Sequence, residues 1–249
     1  MGRLKGKTAV ITGASKGIGA GIALAFAEEG ANVVVNYARA KDDAEKIAAK
    51  INQNGSKAIT VQADVSKKAD VDKLFAEAKK AFGTVDILVN NAGVYEFAPL
   101  GEITEESYRR QFDLNVLGTL LSTQAAVKSM PNGGSVINLS SVVALTPPPT
   151  GSVYSATKGA VDVITRSLAQ ELGPQKIRVN SLSPGLVETE GTRASGNAEG
   201  EFRSYAISRT PLGRVGVPDD IAKVAVFLAS DDSAWMTGEV LPVGGGARL

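Results

Sequence analysis

Tyr154 and Lys158 stand four residues apart at the start of a segment, Ser152–Leu172, whose apolar residues recur at helical spacing. Residues i and i+4 share one helix face, so a phenol and an ammonium would sit side by side. A free phenol titrates near pH ~10 and is a poor acid–base group at neutrality. A neighbouring cation favours the phenolate and lowers that value. A phenol tuned in this way can give a proton to, or take one from, an oxygen of a bound substrate. The pair is one that chance produces in many helices, so its weight depends on what surrounds it. The chain has no histidine and no cysteine. That excludes Ser-His-Asp catalysis, thiolate nucleophiles, disulfides and every imidazole or thiolate metal site. Proton transfer near neutral pH is left to Asp, Glu, Lys or Tyr, and no metal is expected.

A second candidate lies near the start. Thr12-Gly13-Ala14-Ser15-Lys16-Gly17-Ile18-Gly19 joins an apolar run to a helical pattern. Glycines let the backbone turn tightly and approach a pyrophosphate, and the following helix offers free N–H groups and a partial positive charge. The place of this turn after the first strand points to dinucleotide binding.

The elements that must position these residues follow from periodicity. Strands are expected over Thr8–Ile11, 32–35, 58–61, 85–89, 135–139, 177–182 and 239–243. Helices are expected over 18–29, 42–52, 69–82, 105–128, Ser152–Leu172 and 219–229. Alternation of helices with continuous apolar strands predicts an α/β fold: a single-domain, Rossmann-type, doubly wound parallel sheet with helices on both faces. The polar stretch 188–212, with Gly191, Gly196 and Gly200, interrupts the alternation and reads as a lid over the substrate site. In 249 residues, 43% hydrophobic, 27 basic and 26 acidic side chains nearly cancel. Neither nucleic acid nor an anionic membrane is implied as partner. The N-terminal apolar run is too short for a signal or spanning segment, and a cytoplasmic protein is expected.

With Gly13, Gly17 and Gly19 in a Gly-x3-Gly-x-Gly turn and Tyr154 and Lys158 downstream, the chain resembles the short-chain dehydrogenase/reductase family. The resemblance runs over essentially the whole length. It implies contact of Gly13, Ser15, Lys16, Gly17, Ile18 and Gly19 with the cofactor. An NAD site usually ends its second strand on an acid; here Asn36, Tyr37 and Arg39 stand there. Lys16 and Arg39 would favour a ribose 2′-phosphate, hence NADP(H). The resemblance further implies adenine contact at Asp64-Val65, although Asp64 also suits an N-cap for a helix starting near Ser66. It implies backbone packing against the cofactor at Asn91, Ala92 and Gly93, with the Asn side chains tying strand ends, and nicotinamide contact at Pro184, Gly185, Val187 and Thr189. The family's catalytic Ser corresponds by spacing to Ser141, thirteen residues before Tyr154, with Ser140 as its rival. Asn115 matches the family's Asn, which would hold a water linking Lys158 to solvent.

The resemblance implies a reductase of a small-molecule carbonyl. Val94, Tyr95, Val143, Leu145, Pro147, Pro148, Pro149, Val153 and Leu186 would wall the pocket, with Phe202 and Tyr205 on the lid and Ser141 and Tyr154 at the carbonyl. That set is apolar and lacks a cation for a carboxylate, so a neutral ketone, diketone or ketoester is expected. Alternatives are a 3-oxoacyl-(acyl-carrier-protein) reductase, which would need a basic docking surface, and a glucose or polyol dehydrogenase. A sensor that binds the dinucleotide without turnover is disfavoured by the retention of Asn115, Ser141, Tyr154 and Lys158. Val153, Ala156, Ala160, Val161, Ile164 and Leu168 place apolar or small residues on more than one face of their helix. A homotetramer is expected, as is common in the family.

Overall fold

The computed structural model describes residues 2–194 and 200–247, except the side chains at 201 and 202. Seven strands form one parallel sheet: β1 Thr8–Ile11, β2 Asn32–Tyr37, β3 Ala58–Gln62, β4 Ile87–Asn90, β5 Gly134–Leu139, β6 Ile177–Pro184 and β7 Val240–Val243. Their order is β3-β2-β1-β4-β5-β6-β7. The chain runs outward from β1 to β3, returns to β4 beside β1, and continues the other way. That reversal opens the crevice between the carboxyl ends of β1 and β4 in which such sheets bind ligands.

The strands read as unbroken apolar runs because both faces are covered, yet their side chains still alternate. Ile11, Val33, Val35, Val89 and Ile137 enter one core with helices α1 Gly17–Glu28, α2 Lys41–Gln53 and α9 Pro218–Ala229. Val10, Val34, Leu88 and Val136 enter the other, with α3 Lys68–Phe82, α5 Gly118–Val127 and α6 Ser152–Leu172. Helix α1 is apolar on most of its surface because it lies between the sheet and α9. A Cβ on Gly21 would come within 2.8 Å of the Pro218 ring, so the two helices meet at close range.

Three expectations change. The single helix expected over 105–128 is broken. Helix α4 Glu105–Phe112, capped by the Thr104 hydroxyl on the Ser107 amide at 3.1 Å, gives way to a π turn at Asp113–Leu117 before α5 begins. A π turn inserts one extra residue into a helix, which periodicity over a long apolar segment does not reveal, and such turns concentrate at functional sites. Asp64 is not the N-cap of α3: its Oδ1 accepts from the Ser66 amide at 3.1 Å in a local turn, and the helix begins later, at Lys68. The segment 188–212 carries two short helices, α7 Glu190–Ala194 and α8 Gly200–Ser208. Gly196 and the side chain of Phe202 lie outside the described residues. No described helix is long and apolar enough to cross a membrane.

Candidate active site

The glycine turn is built by contact. Gly13 has φ +61°, and a Cβ there would lie 2.9 Å from the Ala92 Cα, so the backbones after β1 and β4 touch. Asn91 closes the joint, donating from Nδ2 to the carbonyls of Thr12 at 2.8 Å and Gly13 at 3.0 Å. Asn90 donates to Thr123 Oγ1 at 3.0 Å and Asn138 Oδ1 at 2.9 Å, tying β4 to α5 and β5. The two Asn side chains thus do what their placement after β4 implied. Asn36 does something else. Its side chain is buried, accepts from the Gly13 amide at 3.1 Å and donates to the Val61 and Ala63 carbonyls at 3.2 and 3.0 Å. It braces the turn from behind, and Tyr37 is buried beside it. Both side chains are buried in the ligand-free structure, Asn36 by its bonds to the Gly13 turn and the chain after β3, so neither is presented to a ribose, a correction to the sequence reading.

Arg39 remains exposed, on a polar cavity of about 390 Å3 that it shares with Gln62, Asp64, Lys67, Asp70 and Lys73. Lys16 pairs with Asp43, Nζ to Oδ2 at 2.9 Å. Sequence reading noted the missing acid at the end of β2 but overlooked this one, one turn into α2. The Gly17 amide, at the amino end of α1, is engaged by an anion of the chain itself: Glu190 Oε2 lies 3.0 Å away. A carboxylate seated on that amide shows that the turn accepts an oxyanion. With the Gly13–Ala92 cradle and the cationic cavity at Arg39, the turn fits a dinucleotide carrying an extra phosphate.

The catalytic candidates converge at the carboxyl ends of β4 and β5. Helix α6 starts at Ser152, so Tyr154 and Lys158 lie on its first two turns. Lys158 is buried; its Nζ donates to the Leu139 carbonyl at 2.8 Å and sits 5.7 Å from the centre of the Tyr154 ring. Burial pushes its ammonium down to about 8, against the pull of Asp162. Ser141 is the second residue past β5 and hydrogen-bonds the Tyr154 phenol. Its rival Ser140 is buried and donates to the Lys158 carbonyl at 3.2 Å, away from the phenol. The expectation of a lowered phenol is corrected in the ligand-free protein. Burial raises Tyr154 to about 12, the Ser141 hydrogen bond opposes this, and Tyr95 adds to the rise.

Asn115 sits in the π turn. Its Oδ1 accepts from the Val94 amide at 2.9 Å, and its Nδ2 donates to the Val94 carbonyl at 2.8 Å and to Thr157 Oγ1 at 3.0 Å. Its own carbonyl accepts from Thr119 Oγ1 at 2.8 Å. Asn115 is therefore a clamp between the loop after β4 and the first turn of α6; both hydrogens of its amide are engaged by protein. Thr157, fully buried and donating to the Tyr154 carbonyl at 2.7 Å, completes that clamp and was not singled out from sequence.

Around the phenol stand two further rings. Tyr95 and Phe97 lie 6.0 and 5.8 Å from the Tyr154 ring centre, Phe97 edge-on, and 6.2 Å from each other. Phe97 is a second omission; it lies in a loop with no periodicity to mark it. Leu145, expected in the pocket wall, and Tyr205, expected on the lid, are 66% and 57% exposed in the ligand-free structure. The 188–212 segment is tied down: Tyr95 Oη donates to the Gly191 carbonyl at 3.2 Å, and Glu188 pairs with Arg193 at 2.9 Å and Arg203 at 3.6 Å. Val187 is buried and Thr189 packs its methyl against Gly17, which joins the segment after β6 to the glycine turn.

A family profile described as enoyl-(acyl carrier protein) reductase matches residues 13–248. An uncharacterized oxidoreductase of Methylorubrum extorquens is 57% identical over 248 residues, covering all of both chains. A hydroxynaphthalene reductase-like protein of Metarhizium robertsii is 41% identical, over 98% of this chain and 96% of its own. Among solved structures, a short-chain dehydrogenase of Burkholderia cenocepacia in complex with NADP superposes with a TM-score of 0.94 at 34% identity, covering 99% of this chain and 100% of the other.

Proposed function

The chain belongs to the short-chain dehydrogenase/reductase family, and on that premise we propose that it is an NADP(H)-dependent oxidoreductase that reduces a neutral ketone to a secondary alcohol. The observation that carries this reading is the Tyr154 phenol, hydrogen-bonded to Ser141 and lying beside the buried Lys158 ammonium at the carboxyl edge of the sheet.

NADPH, when bound, would supply the hydride. The turn from Gly13 to Gly19, with Ser15 and Ile18, would hold the diphosphate on backbone amides. Lys16 and Arg39 would hold the 2′-phosphate, and Asp64 and Val65 would border the adenine. Ala92 and Gly93, with Pro184, Gly185, Val187 and Thr189, would hold the nicotinamide half. Ser141 Oγ and Tyr154 Oη both donate toward the substrate carbonyl oxygen. Two donors there stabilise the negative charge that grows on oxygen as the carbon takes hydride. Tyr154 Oη then gives up its proton, leaving a phenolate whose charge the Lys158 ammonium offsets. Asn115 and Thr157 keep the first turn of α6 in register with the loop at Val94. Burial of the phenol at about 12 keeps it protonated across the physiological range, as a proton donor must be.

The rings of Tyr95 and Phe97, with Val143 and Leu186, favour an aryl or fused-ring ketone through offset and edge contacts. The naphthalene in the name of one relative agrees with this. Tyr108, Leu117, Leu120 and Val163 are exposed on α4, the π turn, α5 and α6, an apolar side that supports a homotetramer. The test is oxidation of NADPH or NADH, supplied separately, across aryl ketones, diketones, ketoesters and an acetoacetyl thioester, with Tyr154→Phe as control. NADPH-dependent reduction of aryl ketones, lost in Tyr154→Phe, is expected. Binding of NADPH without turnover of any carbonyl would overturn the reading.

A further inference from the structure

One buried acid near the site has no part in the chemistry above. Asp162 lies on α6 four residues after Lys158, on the same face, and is 5% exposed. A carboxylate so far from water needs partners. It receives the Ser181 hydroxyl of β6, Oγ to Oδ1 at 3.2 Å. Ser140, just past β5, lowers the carboxylate's pKa as well, while its hydroxyl donates to the Lys158 carbonyl oxygen at 3.2 Å. Along the helix face, Tyr154, Lys158, Asp162 and Arg166 form a ladder at i, i+4, i+8 and i+12. It runs from the phenol, through a buried cation and a buried anion, to an exposed guanidinium. The charged groups acting on Asp162 are Lys158 and Arg166, both from α6, while β5 and β6 present serine hydroxyls.

We propose that Asp162 is a positioning residue for Lys158: its carboxylate ties α6 to Ser181 within β6 and to Ser140 just past β5, and supplies the buried counter-charge that keeps the ammonium protonated. The inference rests on the reductase reading above. It follows from two facts. Among the described residues, Lys158 Nζ donates one hydrogen bond, to a neutral carbonyl. A buried ammonium whose surroundings are otherwise neutral is destabilised unless an anion lies close by. The anion that lies one helical turn away is Asp162. Its attraction opposes the desolvation that depresses Lys158, and Lys158 in turn favours the ionised form of Asp162 against its own desolvation.

The test compares wild type with Asp162→Asn, Asp162→Glu and Asp162→Ala. Asparagine keeps a hydrogen-bonding group of the same size and removes the charge. The midpoint of Lys158 is followed in the cofactor-free protein by NMR titration of its side-chain nitrogen, and kcat and KM are followed against pH. In Asp162→Asn the midpoint is expected to fall by on the order of one pH unit, with kcat about tenfold lower above the wild-type midpoint and KM little changed. Asp162→Glu is expected to restore most of the wild-type profile. Asp162→Ala, which loses the two strand contacts as well, serves to separate anchoring from charge through its thermal unfolding. An unchanged midpoint and an unchanged kcat profile in a folded Asp162→Asn protein would overturn the proposal. A fall in kcat by one factor at every pH, with the NMR midpoint in place, would overturn it too. If wild type itself turns over no carbonyl, the reductase reading fails, while the NMR midpoint still decides the role of Asp162.

Discussion

Reductive turnover should fall as pH rises through about 8. Two groups share the proton chemistry, and burial moves them in opposite directions. Tyr154 is raised to about 12, so it holds its proton throughout the range in which the protein would be assayed. Lys158 is lowered to about 8, so it is the group that titrates. At pH 7 a group with that midpoint is roughly ten parts ammonium to one part amine, and at pH 9 the ratio is inverted. If the ammonium is needed to offset the phenolate formed as the proton leaves, kcat for ketone reduction drops about tenfold between pH 7 and 9. The assay is the initial rate of NADPH oxidation at saturating aryl ketone from pH 6 to 10. Lys158→Met should give a low rate with no limb near 8. A wild-type profile that stays level to pH 9.5, or a limb of the same midpoint in Lys158→Met, would refute the reasoning. Either result would mean that some other group carries the titration.

Arg39→Ala should lower the preference for NADPH over NADH by roughly tenfold, because a charge-assisted bond to the 2′-phosphate is lost; equal kcat/KM ratios before and after would contradict the assignment of that cavity. Glu190→Gln should tighten NADPH binding by roughly threefold, since a carboxylate no longer competes for the Gly17 amide at the positive end of α1. A fluorescence titration showing weaker binding would reverse that reading. Phe97→Ala should raise KM for aryl ketones roughly threefold to tenfold and leave small aliphatic ketones nearly unaffected. A uniform effect on both classes would remove Phe97 from substrate recognition. The stability of wild type relative to Lys158→Met should improve from pH 8 to 10. The folded value of about 8 lies below the ordinary lysine value, so over that window the unfolded chain binds more protons. Thermal unfolding of both proteins at pH 7 and 10 would show the gap narrowing, and a widening gap would contradict the burial of a charged Lys158.

What could be read without coordinates was local. Apolar runs bounded by glycine gave the strand order along the chain, because a strand buried on both faces has few other ways to be written. The Tyr154–Lys158 spacing gave a shared helix face by the geometry of 3.6 residues per turn. The turn from Gly13 to Gly19 declared itself through residues that a tight bend requires. Spacing favoured Ser141 without fully separating it from Ser140; in the fold the two point to different partners because successive residues leaving a strand face opposite ways. Asp162 was equally legible as an i+4 neighbour of Lys158, although nothing local distinguished a buried acid from a solvated one.

What the tertiary structure alone decided were contacts between segments distant in the chain, and the dielectric they create. Asn115 acquires its role from Val94 and Thr157, brought to it by a π turn that interrupts an otherwise uniform helical pattern. Glu190 reaches Gly17 across 173 residues because β6 delivers its loop beside the first strand. Asn36 turns from a candidate ligand into a brace because the fold brings the Gly13 amide and the Val61 and Ala63 carbonyls around its side chain. In the ligand-free protein the phenol rises because desolvation by the segments packed around it outweighs the Ser141 hydrogen bond, with Tyr95 adding to the rise. A sequence specifies the charge on a side chain and the face it occupies. How much that charge costs depends on which other segments surround it, and that is set by the register of the sheet and the docking of helices upon it.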